Sequence, residues 1–106
     1  MSASSVSFVV HLHAKDETRE QFRTMLYEVL DAMSHEPDFV NTYVGNNLDD
    51  PNTFVLYETW ACSKEEFIAN HLSKPYRQAY EKALPEMQAK PRTIEFLEPA
   101  RAYSKT

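Results

Sequence analysis

The 106-residue chain sets 11 Lys and Arg against 16 Asp and Glu, a net charge of −5, and without a basic cluster that balance repels phosphate backbones and excludes nucleic acid as a partner. The length suits one domain, residues 1–106, which at this size buries roughly two-thirds of its unfolded surface around one core. One glycine, Gly45, leaves no glycine-rich turn to cradle a dinucleotide or triphosphate, so NAD, FAD and ATP in their usual folds are not expected.

The opening MSASSVSFVV has neither a basic leader nor an apolar run long enough to cross a membrane. Cys62 is the lone cysteine and makes no intrachain disulfide. A cytoplasmic, reduced setting and no membrane partner are the expectation. In SVSFVVHLH, Val6, Phe8, Val10 and Leu12 alternate with Ser7, Val9, His11 and His13, which predicts a strand. From about Asp16 the spacing of Phe22, Leu26, Val29, Leu30 and Met33 predicts a helix, with Asp16 or Thr18 as N-cap and an end near Glu36-Pro37.

DFVNTYVGNN and TFVLYETWA, separated by the turn-rich LDDPN, read as a hairpin. Ser63 and Glu66 form a capping box ahead of FIANHL, and Pro75 opens PYRQAYEKALPEMQ, which Pro85 should kink or break. TIEFLEP supplies the last strand, so that the core spans about residues 6–98 and a polar tail occupies 99–106.

The resulting order βαββ(αα)β predicts an α+β domain of ferredoxin-like type, a four-stranded antiparallel sheet with helices on one face. Val9, Val55 and Tyr57 make the second face of the sheet apolar as well. A second copy of the sheet is its natural cover, so a face-to-face homodimer, a dimeric α+β barrel, is expected.

Glu58 shares its strand face with Phe54, Leu56 and Trp60, and an unpaired carboxylate there would cost several kcal/mol or be protonated. Phe67, Ile68, His71 and Leu72 form one stripe of the following helix, which points His71 inward on the same side of the sheet. A Glu58–His71 pair in an apolar cavity would fix the tautomer and raise the basicity of the imidazole, as a general base requires; a satisfied core histidine is the alternative. Tyr76 and Tyr80, four apart, could frame a flat aromatic substrate or simply pack in the core. His11 and His13 have a chelating spacing but no accompanying Cys or carboxylate, so no metal is expected there.

EPDFV, LDDPNTFVLYETW and HLSKPYRQAY, in that order and spacing, resemble the antibiotic biosynthesis monooxygenase family, which includes quinol monooxygenases. The resemblance covers about residues 6–98. It implies a dimeric α+β barrel that oxidises a small phenolic, hydroquinone or anthrone-like substrate with O2 and no cofactor. His71 would be the base, Glu58 its orienter and Trp60 a wall or donor, with Tyr76, Tyr80 and Thr42 at substrate-contacting positions. Asp38 stands where the family often has glycine, Thr42 where an aromatic is frequent, and Tyr76 where a second histidine is common. A non-catalytic ligand-binding or structural homodimer and a small-molecule isomerase are the alternatives on the same fold.

Overall fold

The computed structural model describes residues 5–105, so the first four residues of the predicted domain and the last residue of its tail lie outside it. The elements are β1 (Val6–Ala14), α1 (Arg19–Met33), β2 (Phe39–Asn46), β3 (Thr53–Trp60), α2 (Lys64–Asn70), α3 (Gln78–Met87) and β4 (Gln88–Leu97). Short 3₁₀ turns at Asp16–Thr18 and Pro75–Arg77 lead into α1 and α3. All strand pairs are antiparallel, in the order β2-β3-β1-β4. This is the ferredoxin-like arrangement expected from the order of elements.

The period-two pattern of β1 puts Val6, Phe8, Val10, Leu12 and Ala14 against the helices, and Phe54, Leu56, Glu58 and Trp60 of β3 fall on the same face. Phe22, Leu26, Val29 and Met33 of α1 and Tyr80, Leu84 and Met87 of α3 close over them. Phe22 sits at the centre, with ring centroids 5.7 Å from Phe54 and 6.0 Å from Tyr80. Burying such a side chain contributes about 1.5–3 kcal/mol.

The capping box is formed: Glu66 N donates to Ser63 Oγ, and Ser63 N donates to Glu66 Oε1. Thr18 is the N-cap of α1, as expected, but makes no side-chain cap bond. Its hydroxyl donates instead to the Met87 carbonyl at 2.7 Å, and Lys15 N donates to the same carbonyl. These bonds tie the start of α1 to the end of α3.

Two expectations are corrected. Pro85 neither kinks α3 into two pieces nor stops it at once; it occupies the last turn, and the chain becomes extended at Gln88, five residues before the expected strand. Pro91 is tolerated in the lengthened β4 because this strand is at the sheet edge, where a missing N–H leaves no inner ladder bond broken. Ile68 is 44% exposed, outside the inward stripe, since the seven-residue α2 buries only Phe67.

The face opposite the helices carries Ser7, Val9, His11 and His13 of β1, Val55, Tyr57 and Thr59 of β3, and Asn41 and Tyr43 of β2. Among the described residues no helix covers it, and Tyr43 and Tyr57, paired across strands, are exposed.

Candidate active site

An apolar cavity lies between sheet and helices, walled by Phe8, Val10, Leu26, Leu56, Phe67 and Phe96 among others. Four polar groups reach it: Glu58, Arg77, Tyr80 and Arg92. It encloses about 50 Å³, a third of the roughly 150 Å³ that holds a benzene ring in an engineered core. Leu30, Leu72 and Ile94 are among its more accessible apolar lining.

Strand parity brings Glu58 into this cavity, where its residue is 5% exposed. Burial raises its pKa above the ordinary carboxylate value, and the Trp60 hydrogen bond and the Arg77 charge offset this only in part. Trp60 Nε1 donates to Glu58 Oε1 at 3.1 Å. Tyr80 lines the same cavity and is buried, its phenol pushed up to about 12 by burial.

Across the cavity, Glu81 accepts two hydrogen bonds from Arg92, at 2.9 and 3.0 Å, and one from Arg77 at 3.0 Å. Burial would raise the Glu81 pKa, but the two guanidinium partners outweigh it and hold the carboxyl low. Two cations share one anion, so the cavity edge has a cationic excess facing Glu58. Arg77 Nε is buried without a hydrogen-bond partner among the described residues.

The predicted Glu58–His71 hydrogen bond is not made. His71 caps the C-terminus of α2, and its Nε2 lies 3.2 Å from Asp38 Oδ2. The reason is local: Trp60, two residues beyond Glu58 on the same face, supplies the donor for Glu58 and places its own ring 4.5 Å from the imidazole. His71 and Trp60 do not line the cavity.

Of the expected substrate-contacting residues, only Tyr80 reaches the cavity. Tyr76 instead meets Glu36, and burial with that carboxylate pushes its phenol up to about 12. Thr42 pairs with Glu58 across the sheet, but on the outer strand β2, beyond the cavity wall. Arg77 and Arg92 escaped the sequence reading. The four-residue spacing of Arg77 and Glu81 was a legible ion-pair signal, whereas the approach of Arg92 from β4 was not.

His13 Nδ1 lies 3.2 Å from Thr53 Oγ1 on the open face, away from the cavity. The described residues that could hold a metal are Asp38, Cys62 and His71, whose ligand atoms lie within 4.8 Å of one another.

Comparison with known proteins gives a sequence match to the family described as antibiotic biosynthesis monooxygenase over residues 5–83. No functionally curated protein matches the sequence. Among solved structures, Rv0793 from Mycobacterium tuberculosis superposes with a TM-score of 0.83 at 18% identity, covering 95% of this chain and 100% of the other. A putative antibiotic biosynthesis monooxygenase from Nitrosomonas europaea gives 0.81 at 19% identity, covering 93% of each chain. A point mutant of SnoaB, a cofactor-independent oxygenase from Streptomyces nogalater, gives 0.80 at 16% identity over 97% of this chain and 100% of that one. These identities establish a shared fold, and the sequence match over most of the chain establishes membership: the protein belongs to the antibiotic biosynthesis monooxygenase family.

Proposed function

We propose that the chain is a cofactor-independent monooxygenase that inserts one atom of O2 into a small phenolic, hydroquinone or anthrone-like substrate, with Glu58 as the group that takes the substrate proton. The observation that carries this is a buried carboxylate of raised pKa at the wall of an apolar cavity, with Arg77 beside it. A carboxylate kept basic by desolvation suits proton abstraction nearer neutral pH. The base in this reading is Glu58, the titratable carboxylate at the cavity, and His71 takes a supporting position behind Trp60.

The chemistry balances without an added reductant. Converting an activated ring C–H next to a phenol, or an anthrone CH2, to C=O removes four electrons from the substrate. O2 accepts all four, one atom becoming the carbonyl oxygen and the other leaving as water. Glu58 removes the first proton, and Arg77 and Tyr80 stabilise the resulting phenolate or enolate. That anion passes an electron to O2, the two radicals join as a peroxide, and loss of water yields the quinone-type product. Water exclusion strengthens each of these electrostatic contacts.

We further infer a homodimer through the open face of the sheet, supported by Val9, Val55, Tyr57 and Tyr43 lying uncovered there. Oxygen-electrode measurements with hydroquinones, phenols and anthrones test the activity. Uptake of one O2 per substrate, 18O from O2 in the product and loss of turnover in Glu58→Gln are expected. Absence of uptake across the panel, or full activity in the variant, refutes the respective claim.

A further inference from the structure

Outside the cavity, one cluster combines three different metal-binding chemistries. Asp38 stands just before β2, Cys62 just after β3, and His71 at the C-terminal end of α2. A carboxylate oxygen, a thiol sulfur and a ring nitrogen from these residues all lie within 4.8 Å of one another. Bond lengths to zinc of about 2.0–2.3 Å place tetrahedral ligand atoms roughly 3.4–3.6 Å apart, so the cluster needs only a modest contraction. The Asp38–His71 edge already measures 3.2 Å.

His71 is buried and turns its Nε2 to Asp38. Cys62 is also buried. Asp38 differs, its side chain being 45% exposed, and so leaves an entry path for an ion.

We propose that Asp38, Cys62 and His71 bind one divalent cation of the zinc type, with solvent at the fourth position. A set of one S, one N and one O ligand suits Zn2+ or Co2+ and disfavours Mg2+ and Ca2+, which take oxygen ligands. The ion would join three chain segments that are distant in sequence. It would also fix the His71 ring, and through it Trp60, which donates to Glu58. The site therefore stabilises the wall of the cavity and takes no part in the oxygen chemistry.

Titration of the chelator-treated chain with Co2+ tests this without any activity assay. One equivalent should bind, with a thiolate-to-cobalt charge-transfer band, intense tetrahedral visible bands and quenching of Trp60, the single tryptophan. Added Zn2+ should abolish the bands. Cys62→Ser should remove the charge-transfer band, and the more accessible Asp38→Asn, which disturbs no core packing, should weaken binding roughly tenfold or more. A weak octahedral spectrum, unquenched Trp60, or affinity unchanged in Asp38→Asn would overturn the proposal.

Discussion

Trp60 Nε1 donates to Glu58 Oε1 at 3.1 Å, a bond between two buried side chains on one face of a single strand. It gives the carboxylate one partner from its own strand and leaves its other oxygen for the cavity. A charge-assisted bond of this kind stabilises the ionised form, but here desolvation is the larger effect and the pKa stays raised.

Glu58→Gln should therefore change how stability depends on pH. Because the folded pKa of Glu58 lies above its ordinary 4.5, its contribution is full below that value and is lost as pH rises through the folded pKa, by about 1.4 kcal/mol for each pH unit separating the folded and unfolded values. The variant should be more stable than the parent at neutral pH and should lack this part of the slope. Urea unfolding across the acidic to neutral range measures it, and parallel curves for the two proteins would refute it.

Trp60→Phe retains an aromatic ring but removes the N–H. With its buried acceptor unpaired, Glu58 should titrate still higher, and the alkaline rise of the O2-uptake rate should move to higher pH. The expected stability loss is about 1–3 kcal/mol at neutral pH. An unshifted rate profile would show that the indole does not tune the carboxylate.

The Arg77–Glu81–Arg92 cluster should be a stability determinant. Glu81→Gln leaves two guanidinium groups short of their anion; breaking a buried pair costs about 3–5 kcal/mol, and partial exposure reduces this to about 1–2 kcal/mol. Since the folded pKa of Glu81 is lowered, its contribution is present above the ordinary value and is lost as pH falls through the folded one. Thermal melts at neutral and acidic pH should converge for parent and variant on the acid side.

Tyr57→Glu tests the open face. A carboxylate at the centre of an apolar sheet-to-sheet contact would be buried without a partner, so the variant should sediment at half the mass of the parent while its circular dichroism is unchanged. Equal masses for parent and variant would remove the face-to-face reading.

What the sequence by itself determined was the architecture and the anomaly within it. The alternation in β1, the 3–4 spacing in α1 and the Ser63–Glu66 box are local signals, because strand and helix periods and caps are set by residues a few positions apart. They put Glu58 on a buried face from local pattern alone. The partners of His71 and Arg92 were decided by tertiary structure alone. Asp38 reaches His71 across 33 positions and Arg92 reaches Glu81 across 11, while the predicted Glu58–His71 contact was lost to an indole whose reach no spacing rule records. A hydrogen bond depends on tenths of an ångström in the packing of side chains, and those are fixed only when sheet and helices close on one another.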